Sequence, residues 1–583
     1  MLEKTGKNQR RVLAAVLSAA LLISGCGATG GNSKMSNVTQ MQKLNSKFEV
    51  SDDIPDYNTT YEIFLSSFYD SDGDGIGDLK GVTEKLDYIN DGDPKITDDL
   101  GCNAIWLTPV CPSPSYHKYD ITDYEDIDSS FGTLDDYKEF VEECHKRGIK
   151  VIFDMVMNHT SSEHPWFKEA VDYLKNLPDG KEPSADDCKY YGYYNFTTEE
   201  DSGYSKVPGT KYYYEARFWS GMPDLNLDNP DVQEEFKNIA KFWQDIGVDG
   251  FRMDAALYYY TGQDSKNIDT LKWFDEAVKA NNPTAYVVAE VWTDQNTYAK
   301  YYASGINSIF DFAFAAQKGV IAKVARGSKP ASYFAKTVAG GEKLYKENAT
   351  AEATDDNVGF LDAPFYTNHD SDRSAGYYSG DNIEAQTKMA EGLNLLMSGN
   401  AYLYYGEELG MKGSGKDENK RGPMMWTSYN YEPLDDSKSG AAEDDSDADK
   451  TGMCKGPKDM ETFKQIYPGL DVQEKDASSI YEYCREAIKL RNAFPVISRG
   501  KNTNVESGND NVGILQKTDE SGKYSPVYIL INNSAEAQDV DLSKLTDAKD
   551  PKLSAVLLTG TDEVTEKDGK VSLPAYGIAV YTY

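Results

Sequence analysis

The chain has 583 residues, with 60 Lys plus Arg against 96 Asp plus Glu, a formal charge of −36. Its 12% aromatic content, with 42 Tyr, excludes a disordered chain, and the acid excess disfavours a nucleic-acid partner, whose phosphates need clustered Lys and Arg. No apolar run reaches the roughly 18 residues of a membrane-spanning helix, which excludes a polytopic membrane protein.

In chain order, residues 1–26 read as an export signal. Lys4, Lys7, Arg10 and Arg11 precede a twelve-residue apolar stretch from Val12 to Ile23. The following Ile23-Ser24-Gly25-Cys26 resembles a bacterial lipobox, whose Cys becomes the lipidated first residue of the mature protein. That resemblance implies lipidation at Cys26 and anchoring to the extracellular face of a bacterial cell membrane. Residues 27–50 are rich in Gly, Ser and Asn and suit a flexible tether.

Short apolar runs then alternate with helical stretches. Strands are expected at Tyr61–Phe68, Ala104–Thr108, Lys150–Val156, Gly247–Met253, Ala285–Val291, Asn307–Phe312, Asp362–Thr367 and Ala401–Tyr405. Helical stretches between them include Leu134–Arg147 and Pro230–Ile246. β-Branched runs spaced by helices predict a parallel sheet buried on both faces. Eight of them predict an α/β fold, a (β/α)8 barrel, over residues 51–159 and 228–495. Residues 160–227 are too long for a plain loop and predict a subdomain inserted after the third strand. Beyond residue 495 the helices stop. Gly513–Gln516, Val527–Ile531, Ala555–Leu558 and Ile578–Tyr583 predict a C-terminal antiparallel β-sandwich domain over 496–583. Cys102, Cys111, Cys144, Cys188, Cys454 and Cys484 match no zinc spacing and read as buried free thiols. The run Glu443–Asp449 reads as a solvated loop.

In such barrels chemistry sits at the C-terminal strand ends. The third strand ends Phe153-Asp154-Met155-Val156-Met157-Asn158-His159, the fourth Gly250-Phe251-Arg252-Met253-Asp254, the fifth Ala289-Glu290-Val291-Trp292 and the seventh Asn368-His369-Asp370. Asp254, Glu290 and Asp370 would converge above the barrel. Retaining glycoside hydrolysis needs one carboxylate as nucleophile and one protonated acid about 5 Å apart, and like charges that close raise one pKa. Arg252, two residues before Asp254, faces the same way and would orient that carboxylate.

DMVMNH, GFRMDA, AEVW and FYTNHD resemble the four consensus regions of the α-amylase family, glycoside hydrolase family 13. Met222-Pro223-Asp224-Leu225-Asn226 resembles the fifth region of the group between oligo-1,6-glucosidases and neopullulanases. The order and spacing fit from about residue 55 to 495, and the C-terminal β-domain fits as well. The resemblance implies a retaining mechanism with Asp254 as nucleophile, Glu290 as acid/base and Asp370 as transition-state stabiliser. It implies that His159 and His369 bond the sugar, that Tyr119 stacks on it, and that Asp120 and Arg252 complete the substrate site.

Asp70-Ser71-Asp72-Gly73-Asp74-Gly75-Ile76-Gly77-Asp78 follows the first strand. Alternating oxygen ligands around glycines suit Ca²⁺, and Gly81 at loop position 12 excludes an EF-hand. The loop resembles the calcium loop of the oligo-1,6-glucosidase and intermediate groups, which implies side-chain ligation by Asp70, Asp72, Asp74 and Asp78 and carbonyl ligation by Ile76. Asn158 resembles the asparagine of a different amylase calcium site, which is left open.

Two positions depart from the family. Leu257 and Tyr258 stand where many α-amylases have Lys-His, and Tyr116 stands where exo-acting α-glucosidases carry an Asp that caps the terminal sugar. The second departure favours an open cleft. Arg421-Gly422-Pro423-Met424-Met425-Trp426 resembles a segment of the oligo-1,6-glucosidase branch. The insertion holds Tyr190, Tyr191, Tyr193, Tyr194, Tyr204, Tyr212, Tyr213, Tyr214 and Trp219, half or more of them expected to pack the subdomain. The expectation is a monomeric, lipid-anchored enzyme that endo-hydrolyses α-1,4-glucosidic bonds in starch, amylose and maltodextrins, with no nucleic-acid partner. The alternatives are neopullulanase, maltogenic or oligo-1,6-glucosidase-like activity and, in a different class, a non-catalytic glucan-binding surface lipoprotein.

Overall fold

The apolar runs form the strands β1 (Thr59–Ile63), β2 (Ala104–Leu107), β3 (Lys150–Met155), β4 (Gly250–Met253), β5 (Tyr286–Ala289), β6 (Ser308–Ile309) and β7 (Ala401–Tyr404). This computed structural model describes residues 39–51, 53–94, 98–354, 358–428 and 452–583. The export signal, Cys26 and the acidic run Glu443–Asp449 lie outside the described residues.

The seven strands form one parallel sheet in the order β7-β1-β2-β3-β4-β5-β6. The ring closes through the remaining expected run. Phe310, just past β6, bridges Ala363 in parallel, and Phe365 bridges Tyr402 of β7. Pro364 sits between those bridges and has no N–H to give to a ladder, although its carbonyl accepts from Tyr402 N at 2.8 Å. Residues 362–367 therefore hold the seventh place in an eight-membered barrel without a continuous ladder. β1, β2, β4, β5 and β7 are buried at every residue, as strands covered on both faces must be.

Local signals set the outer helices. Thr133 and Asp136 form a reciprocal capping box at the start of Leu134–Lys146. Asn229 caps Pro230–Ile246, whose first residue is proline. That helix ends at Gly247 with φ 116°, a left-handed conformation that glycine adopts at no steric cost. Within the insertion lie the helix Pro165–Lys175 and a small sheet of Phe196–Thr197, Tyr213–Glu215 and Tyr204–Lys206. Tyr193, Tyr194, Tyr212 and Tyr214 are buried in it, whereas Phe218 and Trp219 are 46% and 52% exposed.

Two antiparallel sheets follow. One runs in the order Lys501–Val505, Val512–Thr518, Val527–Asn532, Ile578–Thr582, Lys552–Leu557, and the other in the order Gln538–Asp541, Lys570–Leu573, Thr565–Lys567. The four apolar runs expected from the sequence lie in the first sheet. Thr565–Lys567 is exposed along its whole length and carries no hydrophobic signal, so only its backbone pairing makes it a strand.

The tether expected over 27–50 does not hold for its described part. Gln40–Asn45 is a helix, with Met41 and Asn45 buried. The Asn45 amide exchanges two bonds with the Val556 backbone (3.1 and 3.2 Å), and the Gln40 amide does the same with Val564 (2.8 and 2.7 Å). Side-chain amides can pair as a strand edge does, so polar composition here marks docking rather than a linker. All six described cysteines are free and buried.

Candidate active site

Register sets the centre of the site. Asp154 of β3 and Arg252 of β4 are direct neighbours in the parallel ladder, and Arg252 is 1% exposed. Its Nη1 donates to Asp154 Oδ1 at 2.8 Å and to Asp254 Oδ1 at 2.6 Å, while its Nη2 lies 3.1 Å from Glu290 Oε2. One guanidinium thus gathers carboxylates from the ends of three strands. The backbone helps: Ala255, at the left-handed φ of 50°, donates its N–H to Glu290 Oε2 at 3.0 Å.

The carboxyls sit in unequal fields. Burial pushes Glu290 up to about 7; Arg252 opposes that shift, and the Asp254 and Asp370 charges add to it. Burial also raises Asp154 to about 6 against the pull of Arg252. For Asp370 burial again disfavours the charge, but His369, Arg421, Arg252 and Lys420 outweigh it and lower the group to about 2. The site therefore holds an acid that is protonated near neutrality, as glycosidic cleavage requires, beside a second carboxylate, Asp370, that stays ionised. With Glu290 as the acid expected from the sequence, which donates only while protonated, kcat/KM should fall about tenfold per pH unit above about 7. A pH–rate profile measures this, and Glu290→Gln should abolish that limb along with the activity.

His369 stands between two acids. Its Nδ1 is 2.7 Å from Glu62 Oε1, and its Nε2 is 3.2 Å from Asp370 Oδ2 and 2.8 Å from the Tyr119 hydroxyl. Burial opposes a charge on His369, but Asp370 and Glu62 more than offset it and raise the imidazole. The Tyr119 ring stacks on His369 at 5.5 Å, and its hydroxyl donates to Asp154 Oδ2 at 3.0 Å. His159 lies 3.2 Å from the Tyr119 carbonyl and is lowered by burial. Asp120 is 2% exposed and turned towards Ser113 (2.7 Å) and Ser115, so it braces the loop that carries Tyr119.

Three members of the constellation carry no role in the sequence reading. Asp154 lies inside a quoted motif and shares Arg252. Glu62, 1% exposed, is a lone acid in the apolar run of β1, and a charge in such a run is itself a signal. Arg421 donates to Asp370 Oδ1 at 2.9 Å, to the His369 carbonyl at 3.1 Å and to the Tyr116 hydroxyl at 2.9 Å.

Aromatic rings flank the carboxylates. Trp292, two residues beyond Glu290 and 51% exposed, stacks on Phe312 at 5.3 Å. Phe218 packs edge-on against His159 at 5.3 Å and Tyr258 at 5.4 Å, so Tyr258 stands in an aromatic lip. Asn158 Nδ2 donates to Asp224 Oδ1 at 3.2 Å, and Leu225 N donates to the Asn158 carbonyl at 2.9 Å, joining the DMVMNH motif after the third strand to the fifth region.

In the acidic loop, oxygens of Asp70, Asp72 and Asp78 lie within 4.8 Å of one another. Asp74, which is not in this trio, accepts from Ile76 N at 2.7 Å. An all-oxygen donor set carrying three negative charges fits a hard divalent cation. Burial raises Asp70; the Gly73 and Gly75 N–H groups oppose that shift and the Asp74 charge adds to it.

Residues 62–500 match the profile described as "Alpha amylase, catalytic domain". Alpha-amylase 3 of Dictyoglomus thermophilum is 35% identical over 514 residues, 85% of this chain and 90% of that protein. Neopullulanase 2 of Thermoactinomyces vulgaris is 32% identical over 352 residues, 60% of this chain and 52% of that protein. The solved structure of Eubacterium rectale Amy13B superposes with a TM-score of 0.83 at 46% identity, covering 93% of this chain and 99% of that one.

Proposed function

The chain belongs to the α-amylase family of glycoside hydrolases, and from that premise we propose that it cleaves internal α-1,4-glucosidic bonds of starch, amylose and maltodextrins with retention of configuration. The observation that carries this reading is the Arg252 guanidinium on Asp254 and Glu290, with Glu290 raised to about 7. Asp254 attacks the anomeric carbon while Glu290 gives its proton to the departing glycosidic oxygen. The resulting glycosyl–Asp254 ester is hydrolysed by a water whose proton returns to Glu290. Asp370, held ionised, receives hydrogen bonds from sugar hydroxyls, and these strengthen as the ring gains oxocarbenium character.

Endo action is favoured by position 116. A Tyr hydroxyl bonded to Arg421 offers no carboxylate to cap a terminal sugar. Exposed Phe218, Trp219 and Trp292 provide flat apolar faces for a chain running past the carboxylates. Product analysis on a maltoheptaoside blocked at its non-reducing end tests this: cleavage is expected, and resistance combined with glucose release from unblocked oligomers would reject endo action. Likeness to a neopullulanase supports a second reading, mixed α-1,4 and α-1,6 activity, for which panose from pullulan is the diagnostic product. A non-catalytic glucan binder would release no reducing sugar from soluble starch.

Two further parts of this reading concern the loop and the N-terminus. A Ca²⁺ ion held by Asp70, Asp72, Asp74 and Asp78, with the Ile76 carbonyl, would neutralise the crowded acids and stabilise the fold. At about 100 times its Kd such an ion adds about 2.7 kcal/mol. Chelation should accordingly lower the melting temperature, and CaCl₂, but not KCl, should restore it. The Ile23–Cys26 motif supports lipidation at Cys26 and a site on the outer face of the cell membrane. Cys26→Ala should then release the enzyme from the membrane fraction.

A further inference from the structure

Of the seven Trp in the chain, only Trp219 and Trp292 are exposed. Trp292 stacks on Phe312. Trp219 instead lies on backbone. A Cβ on Gly221 would stand 2.2 Å from Trp219 Cη2 and 2.3 Å from its Cζ2, so the six-membered ring of the indole rests directly on that glycine. The φ of Gly221 lies outside the left-handed region, so the ring, and not the backbone conformation, is what requires glycine there. Hydrogen bonds fix this seat. Ser162 N donates to the Gly221 carbonyl at 2.8 Å, Thr160 N to the Pro223 carbonyl at 3.1 Å, Met222 N to the Trp219 carbonyl at 2.9 Å and the Tyr214 hydroxyl to the Ser220 carbonyl at 2.7 Å. Thr160 and Ser162 closely follow His159 in the chain, and Phe218, which precedes Trp219, packs on His159 and Tyr258. The seat thus continues the aromatic lip of the site. With one face of its ring on Gly221 and 52% of the residue exposed, Trp219 presents a flat apolar surface to solvent.

We propose that Trp219, seated on Gly221, is a binding platform for α-1,4-glucan beyond the sugars that the carboxylates touch, and that it makes the enzyme favour long chains over short ones. This rests on the glucan reading above. A glucose ring offers C–H groups on its faces, which an open indole face matches. The ring is already held by a hydrogen-bonded backbone, so little freedom is lost when a sugar stacks on it. The contact forms far from the bond being cleaved, so it holds substrate and transition state alike and should act on KM more than on kcat.

The test uses the full chain. Steady-state kinetics compares Trp219→Ala with wild type on maltotriose and maltoheptaose, and calorimetry reads binding of both oligomers to D254N and to D254N/W219A. In W219A the loss of kcat/KM on maltoheptaose should exceed that on maltotriose by about fivefold, carried by KM, which is the size of one aromatic contact. Trp219→Phe, which keeps an apolar face, should recover part of it. Gly221→Ala pushes the ring off its seat and should show the same dependence on chain length, and W219A/G221A should lose no more than W219A alone, because both changes act through one ring. Equal losses on the two oligomers, or none on maltoheptaose, overturn the platform, as does a maltoheptaose affinity that W219A leaves unchanged. Additive losses in the double variant overturn the seat. A loss confined to granular starch would mean that the ring holds a separate stretch of polymer, and overturns the continuous-chain proposal. If D254N binds neither oligomer, the glucan reading falls together with the proposal; if it binds both and W219A does not discriminate, the proposal alone falls.

Discussion

Asp254→Asn should lose at least about 10⁴-fold in kcat while keeping its fold, because in the proposed mechanism Asp254 is the nucleophile and its removal closes the covalent route. Asn keeps the volume and can still accept from Arg252 Nη1, which lies 2.6 Å from Asp254 Oδ1 in the native site. The substitution removes one of three carboxylates around a single cation, so the remaining charges are better balanced and the melting temperature should not fall. A second effect follows from electrostatics. The Asp254 charge is one of the influences that raise Glu290 to about 7, so Glu290 should titrate lower in the variant. Residual activity and its basic limb would show both effects in one pH series. Retained turnover would remove Asp254 from the role of nucleophile.

Arg252→Met should be the most damaging single change to the folded state. Arg252 is 1% exposed and is shared by Asp154, Asp254 and Glu290. Its loss leaves buried acids without their common cation, a class of change that costs about 3–5 kcal/mol. The damage should depend on pH in a definite direction. Burial already raises Asp154 and Glu290, and Arg252 is what holds both back. Without it their folded values rise further above the unfolded ones, so the native state binds more protons than the unfolded state in that window. Stability then falls as pH rises through it. Denaturant unfolding at pH 5 and pH 8 should show the larger loss at pH 8. An equal loss at both would mean that Arg252 acts through packing on Trp106 and Tyr119, whose rings lie 5.0 and 5.6 Å from its guanidinium carbon.

Much of the barrel was legible because a parallel strand buried on both faces must be short and apolar, and each such run expected from the sequence occupies a place in the ring. The strand-end motifs were legible for a related reason: a polar residue straight after such a run has only the barrel mouth to occupy. Polar elements were not. Gln40–Asn45 has the composition of a linker and docks through its amides, while Thr565–Lys567 is a strand with no buried residue. In both cases the partner, rather than the segment, decides the structure.

The sequence by itself determined the barrel, the chemical type of the site and three of its acids, Asp254, Glu290 and Asp370, since periodicity and motif order are local properties of the chain. Only the tertiary structure decided what raises Glu290 and lowers Asp370, and that one guanidinium serves three acids. Arg252 reaches Asp154 across 98 residues, His369 reaches Glu62 across 307, and Arg421 reaches Asp370 across 51. No local pattern encodes such pairings, because neighbours around a closed ring are far apart along the chain. The pKa of a buried carboxyl depends on burial and on the charges that meet it there, and both exist only once the ring has closed.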